Sequence, residues 1–128
     1  MKLLGIDYGT KRVGIAVSDE SGSVAFPKAV YPNNKHLLSD VVSLIQKEGV
    51  VGVVVGESKN MHGEDNAVME GARHFADMVG RETQLPVHFE KEFFSSYEAR
   101  KTLDDKNKTV DAEAAAIILN RFILKTKK

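Results

Sequence analysis

The chain has 128 residues, of which 42% are hydrophobic and 28% charged, and this composition predicts one globular domain over residues 1–128 rather than a disordered chain. Eighteen basic residues balance eighteen acidic ones, which excludes a uniformly basic nucleic-acid-binding protein but not one with segregated charge. Cysteine is absent, which excludes disulfides and thiolate metal sites, and no apolar run reaches the roughly 20 residues of a membrane span, so we expect a cytoplasmic protein without a membrane partner.

Charge is unevenly distributed along the chain. Residues 1–47 carry a net charge of +2, residues 48–98 carry −6, and residues 99–128 carry +4. An acidic middle between two basic ends is compatible with an ordinary mixed surface and with a carboxylate site inside a basic rim.

The first third of the chain predicts a three-stranded meander. Lys2–Tyr8 is an apolar strand, and after a tight glycine-containing turn Arg12–Asp19 alternates with period two. Val24–Tyr31 is a third strand, and Pro27 within it indicates an edge position because proline cannot donate to the ladder.

Units of helix and strand follow the meander. One of the asparagines after Pro32 is expected to cap a helix that ends at Gly49, and the continuous apolar run Val50–Val55 predicts a buried strand. A polar loop through about Asp65 leads to a second helix.

The C-terminal third predicts a fifth strand and two helices. The strand covers residues 85–92, a capping box at Ser95–Glu98 opens a short helix to about Leu103, and Thr109 caps the last helix. The order β-β-β-α-β-α-β-α-α predicts an α/β fold with a five-stranded mixed sheet and helices on both faces, which is the order of the ribonuclease H-like fold.

Four acids fall at the ends of predicted elements, where sheets of this kind place their sites: Asp7, Glu57, Glu92 and Asp111. Carboxylate oxygens suit Mg²⁺ or Mn²⁺, and two such ions can activate water and stabilise the leaving oxygen in phosphodiester cleavage. Each acid also has a structural explanation: Asp7 can cap a turn, Asp111 can favour a helix N-terminus, and the two glutamates can be solvated loop residues.

The stretch LLGIDYGTKRVGIAVSD at residues 3–19 resembles the opening motif of the YqgF (RuvX) family, Holliday junction resolvase-like nucleases with a ribonuclease H-like fold. The resemblance continues at Val53–Gly56 and Asn60–Gly63, resumes at Glu92, and closes at Val110-Asp111 and the alanine-rich helix that follows. It covers essentially the whole chain in order.

The resemblance implies a metal-dependent endonuclease that acts on structured nucleic acid, either branched DNA or the 5′ end of precursor 16S ribosomal RNA. Carried over by position, Asp7, Glu92 and Asp111 match the family's proposed catalytic acids and would hold Mg²⁺ or Mn²⁺. The protein would be a monomer or a homodimer, since cutting two strands of a four-way junction calls for a symmetric dimer and processing one RNA end does not.

The chain departs from the family pattern at two places. The family's Asp-Glu-Arg reads Lys91-Glu92-Phe93, so only the glutamate remains. The family's Gly-x-Pro after the fourth strand reads Gly56-Glu57-Ser58, which adds an acid that can replace or supplement a metal ligand.

Five basic residues are candidate phosphate contacts: Lys11, Arg12, Lys59, Lys106 and Lys108. The first two lie in the turn after Asp7, and all five can also be ordinary surface charges. Contacts to phosphate would give binding that depends on salt but not on base sequence.

Two other functions stay open. The pattern Asp7-x-Gly9-Thr10 before a hairpin also resembles the first phosphate loop of the actin and sugar-kinase group, which binds ATP between two lobes where 128 residues supply one. A non-catalytic nucleic-acid-binding adaptor of ribosome biogenesis, which lost activity together with the Asp-Glu-Arg pattern, is the second alternative.

Overall fold

The computed structural model describes residues 1–57, 67–91 and 108–126, and among these it leaves the side chains of residues 67, 68 and 108–111 undescribed. In chain order the elements are β1 (Leu3–Tyr8), β2 (Arg12–Ser18), β3 (Ala25–Pro32), α1 (Leu37–Glu48), β4 (Gly52–Glu57), α2 (Ala67–Thr83), β5 (Val87–Lys91) and α3 (Lys108–Thr126). The short helix predicted from Ser95 to Leu103 lies outside the described residues.

The five strands form one mixed sheet in the order β3-β2-β1-β4-β5. β1 pairs antiparallel with β2, and β2 with β3, whereas β1 pairs parallel with β4, and β4 with β5. The meander explains the antiparallel half, and the helical crossovers α1 and α2 explain the parallel half. The predicted mixed sheet, with β3 at an edge, is confirmed, and β1 is the central strand.

Helices cover both faces of the sheet. The face of α1 and α2 holds a core that includes Ile6, Val55 and Phe75. The opposite face, under α3, holds a second core that includes Val54 and Leu119. Burial on both faces explains why β1 and β4 are nearly continuous apolar runs. Among the described helices, none has the length and apolarity to cross a bilayer.

The end of α1 agrees with the prediction, whereas its start does not. Gly49 follows the helix in a left-handed conformation, with φ 70° and ψ 36°, as predicted for a glycine at this position. At the start, His36 is the N-cap residue and its side chain makes no capping hydrogen bond. The expected asparagine cap is therefore wrong by position: Asn34 lies two residues before the N-cap, and its Oδ1 accepts a hydrogen bond from the His36 N–H at 2.9 Å.

The last residue of α1, Glu48, ties the helix to the start of the chain and to β3. Its carboxylate lies 3.0 Å from Lys2 Nζ and 3.1 Å from Lys28 Nζ. Hydrogen bonds from Lys2, and then from Lys28, lower the pKa of Glu48. Because the folded chain then binds fewer protons than the unfolded one, this stabilisation is present above the ordinary carboxyl pKa and is lost as the pH falls through the lowered value.

Helix α3 packs closely on the central strand at Gly5. A Cβ atom on Gly5 would lie 2.9 Å from Leu119 Cβ and 3.0 Å from the Ala115 carbonyl oxygen. Contacts this short leave no room for a side chain. Gly5 therefore sets how near α3 comes to β1.

We expect Gly5→Ala to destabilise the fold by about 1–3 kcal/mol, because the added methyl group must push helix backbone away from the strand. Urea unfolding followed by circular dichroism measures this loss. Gly52→Ala is the matched control, since a Cβ there would meet only Leu3 Cδ2, the end of a flexible side chain, at 3.0 Å. Equal losses in the two variants would contradict the proposed role of Gly5.

Candidate active site

Asp7 lies near the carboxyl end of the central strand and is almost completely buried. It is paired with Gly14 of β2, and only 5% of its surface is exposed. Side chains alternate along a strand, and Gly5 contacts α3 whereas Ile6 belongs to the core under α1 and α2. Asp7 therefore belongs to the face of the sheet that α3 covers.

Glu57, the last residue of β4, belongs to the other face. Val55 packs in the core under α1 and α2, whereas Val54 packs under α3, so alternation assigns Glu57 to the α1 and α2 face. There its Oε2 accepts a hydrogen bond from Arg73 Nη2 of α2 at 3.3 Å. The structure does not bring Glu57 onto the same face as Asp7.

The other two predicted acids are described only in part or not at all. Glu92 lies outside the described residues; it follows Lys91, which is paired with Glu57. Asp111 belongs to the first turn of α3, but its side chain is not described. Among the described side chains, no group of three or more histidines and acids could hold a metal ion.

The backbone nevertheless relates Asp111 to Asp7. Asp111 lies one helical turn before Ala115, and Asp7 lies two residues after Gly5. The carbonyl oxygen of Ala115 is one of the atoms nearest to Gly5. The contact between β1 and α3 thus lies two residues from Asp7 along the strand and one turn from Asp111 along the helix.

Sequence reasoning missed a second buried acid, Glu90 in β5. Only 3% of its surface is exposed, and its carboxylate lies 3.3 Å from Lys125 Nζ and 3.9 Å from Arg121 Nε, both on α3. Its strand neighbour across the sheet is Gly56. The basic pair at positions i and i+4 of the last helix was the signal that could have indicated an acid facing α3.

Glu90 and Asp7 belong to the same face at about the same level of the sheet. Ile6 is paired with Val55, and Gly56 with Glu90, so Gly56 stands between the two acids, one strand from each. Gly56 has no side chain. The α3 face therefore carries two buried carboxylates at about the same level of the sheet, with a glycine between them.

Of the predicted phosphate contacts, the structure describes two side chains. Lys11 is exposed in the turn after β1, and Arg12 is the half-buried first residue of β2. The Lys11 carbonyl accepts a hydrogen bond from the Asn33 N–H at 2.9 Å, which fixes the turn. Lys59 and Lys106 lie outside the described residues, and Lys108 begins α3 with an undescribed side chain.

Solved structures define the class of this fold. RuvC of Thermus thermophilus, determined in complex with a Holliday junction substrate, aligns with a TM-score of 0.67 at 18% identity and covers 99% of this chain and 96% of its own. The fold is therefore the ribonuclease H-like fold of the RuvC resolvases, as the order of elements predicted.

Sequence comparisons define the family. The model of the RuvX family, described as Holliday junction resolvase, matches residues 1–125. A protein of Nitratidesulfovibrio vulgaris (strain DSM 19637 / Miyazaki F) named "Putative pre-16S rRNA nuclease" is 38% identical, over 96% of this chain and 93% of its own. A protein of the same name from Oleidesulfovibrio alaskensis is 36% identical, over 96% of this chain and 92% of its own. The chain belongs to the RuvX family, a family of hydrolytic nucleases, and the predicted family is confirmed.

We expect Glu90→Gln to destabilise the fold by about 1–3 kcal/mol, because it leaves two cations beside a buried site that has no carboxylate. The loss stays within this range because Lys125 is partly solvated. Thermal and urea unfolding measure the change. Asp77→Asn, which removes the exposed partner of Arg81 within α2, is the control and should cost about 0.5 kcal/mol or less. A Glu90→Gln variant as stable as this control would show that the contacts of Glu90 with Arg121 and Lys125 do not anchor α3.

Proposed function

We propose that the protein is a metal-dependent endonuclease that hydrolyses phosphodiester bonds in structured nucleic acid. The observation that carries the proposal is the position of Asp7, a carboxylate that is 5% exposed at the carboxyl end of the central strand, on the face covered by α3. Burial of this kind restricts the side chain, which is what a ligand or catalytic group requires.

Asp7, Glu92 and Asp111 form the proposed metal site. The contact between Gly5 and Ala115 supports the pairing of Asp7 with Asp111, and Glu92 directly follows β5, two residues after a position that faces α3. Three carboxylates are a donor set that fits Mg²⁺ or Mn²⁺. Such ions supply charge stabilisation and water activation in phosphodiester hydrolysis.

The chain's own residues hold and orient the substrate in this proposal. Water adds to phosphorus, the bond to one ester oxygen breaks, and that oxygen leaves with a proton. Lys11, in the turn between β1 and β2, and Arg12, the first residue of β2, position the phosphate. Lys59, Lys106 and Lys108 stay candidates for further phosphate contacts. Glu57 joins the ligand set only if its carboxylate leaves Arg73, whose Nη2 lies 3.3 Å from Glu57 Oε2, and turns around the end of β4 to the face of Asp7.

The relatives support precursor 16S ribosomal RNA as the proposed substrate. Proteins with 35–38% identity over nearly the whole chain carry the pre-16S rRNA nuclease name. A four-way DNA junction is the second candidate, supported by the description of the family and by the complex of the RuvC neighbour. We expect the activity in the cytoplasm, with a monomer sufficient for one RNA end and a homodimer needed for a junction.

We expect Asp7→Asn to lower the rate of metal-dependent cleavage roughly 100-fold or more, since it removes a charged ligand and leaves the shape of the side chain unchanged. The assay offers precursor 16S RNA and a four-way junction with Mg²⁺ or Mn²⁺. Asp77→Asn, an exposed aspartate of α2, is the matched control and should cleave like the wild type.

The same assay separates the nuclease from a non-catalytic adaptor. An adaptor would bind RNA or DNA equally well before and after Asp7→Asn and would cleave neither substrate with either metal. Mg²⁺ titration by calorimetry adds an independent readout: the nuclease proposal requires Asp7→Asn to weaken metal binding, and unchanged binding would contradict it.

We expect Lys11→Ala to weaken nucleic-acid binding uniformly across base sequences. In a plot of log Kd against log salt concentration, the slope should fall by about one, because one phosphate contact is lost. Fluorescence anisotropy at several salt concentrations measures the slope. Lys47→Ala, an exposed lysine near the end of α1, should leave it unchanged, and an equal effect of both variants would argue against a specific contact.

A further inference from the structure

A cavity opens at the same end of the sheet as Asp7, on the opposite face. It encloses about 280 Å³ between the end of β1, residues 33–38 and the middle of α2. Tyr8, Leu38, Phe75 and Met78 form an apolar floor.

The floor of this cavity is aromatic and firmly supported. The rings of Tyr8 and Phe75 lie with centroids 5.6 Å apart and tilted by 37°. Gly71 of α2 lets the helix approach, since a Cβ atom there would lie 3.1 Å from Tyr8 Cε2. A rigid aromatic and aliphatic surface of this kind suits a flat ring, because every nucleobase presents a π-face for stacking.

The rim of the cavity is polar and basic. Asn34, Lys35 and His74 are exposed at its mouth, and no acid occurs among the described residues that line it. The half-buried Asn33 adds a further amide, whose Nδ2 donates a hydrogen bond to the Gly9 carbonyl at 2.7 Å. Amides match the donors and acceptors on the edge of a base, and a lysine matches a phosphate.

The position of the cavity ties it to the proposed cleavage site. Tyr8 directly follows Asp7 in β1, so the two side chains point to opposite faces from neighbouring backbone positions. Asn33 bonds to both ends of the turn that carries Lys11, through the Gly9 and Lys11 carbonyls. One nucleotide held by this turn can therefore present its phosphate to Lys11 and its base to the cavity.

We propose that this cavity binds one unpaired nucleobase of the substrate beside the phosphate that is cleaved. The inference rests on the proposed function only for the location of that phosphate. A base that enters the cavity must leave its stack, which is easiest in a single-stranded segment of RNA. The cavity therefore selects a substrate with a single-stranded nucleotide at the site over a fully paired four-way junction.

Binding measurements on the full chain test this proposal. They use the Asp7→Asn chain, in which no cleavage interferes, and an RNA hairpin with a short single-stranded 5′ extension, the same hairpin with an abasic extension, and a blunt hairpin. We expect the abasic extension to lose affinity by about fivefold or more, since base stacking is lost. An abasic RNA that binds as tightly as the intact one would overturn the proposal.

A pair of exposed histidines gives a matched control. His74→Ala should weaken binding of the intact extension severalfold and leave the abasic and blunt hairpins unchanged, because only the intact RNA has a base for the cavity. His36→Ala, which removes a nearby histidine that does not line the cavity, should change none of the three. Equal effects of the two variants, or an equal loss for all three RNAs, would contradict the proposal.

Adenosine 5′-monophosphate is a minimal probe for the same site. In ¹⁵N-edited NMR spectra it should shift the amide signals of Tyr8, Gly71 and His74, and His74→Ala should reduce these shifts. No shift, or shifts confined to other parts of the chain, would overturn the site. Cleavage by the wild type is measured separately, so discrimination against the abasic RNA without cleavage would support the cavity and contradict the nuclease proposal.

Discussion

The arrangement of the proposed metal site depends on the close contact between α3 and β1 at Gly5. With no side chain at this position, the Ala115 carbonyl and Leu119 Cβ lie against the central strand. This contact fixes the last helix of the chain on the first strand. It thereby relates Asp7, two residues further along the strand, to Asp111, one turn earlier in the helix. The proposed metal site can therefore combine residues from both ends of the sequence, because a glycine allows the strand and the helix to pack.

The alternation of side chains along the strands then divides the functional groups between the two faces. Asp7 and Glu90 belong to the face under α3, whereas Glu57 and Tyr8 belong to the face under α1 and α2. Glu90 is neutralised by two cations of α3, which holds the C-terminal part of that helix on β5. Glu57 holds Arg73 of α2 in the same way. Two acids near the ends of neighbouring strands, Glu57 in β4 and Glu90 in β5, therefore anchor different helices.

Much of the fold could be predicted from the sequence, because its signals are local. The apolar run of β1 and the period-two pattern of β2 each predict a strand, and the glycine after α1 predicts the end of the helix. The two faces of β4 could not be predicted, because a continuous apolar run shows no alternation. The predicted strand, Val50–Val55, also ends two residues before the observed one, Gly52–Glu57. The sequence predicts Glu57 just after the strand, either as a solvated loop acid or as an added metal ligand, whereas in the structure it is the last residue of β4 and alternation fixes its face. Glu90 was missed because its cationic partners are 31 and 35 residues away in the sequence.

The neighbouring residues Asp7 and Tyr8 connect the proposed chemistry with the proposed selectivity. Consecutive residues of a strand point to opposite faces, so Asp7 places a carboxylate under α3 and Tyr8 places an aromatic ring in the floor of the cavity beside α2. A nucleic-acid strand that passes over the end of β1 can engage both. The turn between β1 and β2 lies directly after these residues, and Asn33 braces it from the β3 side. In these two proposals, recognition of a single-stranded nucleotide is built into the same strand that carries Asp7.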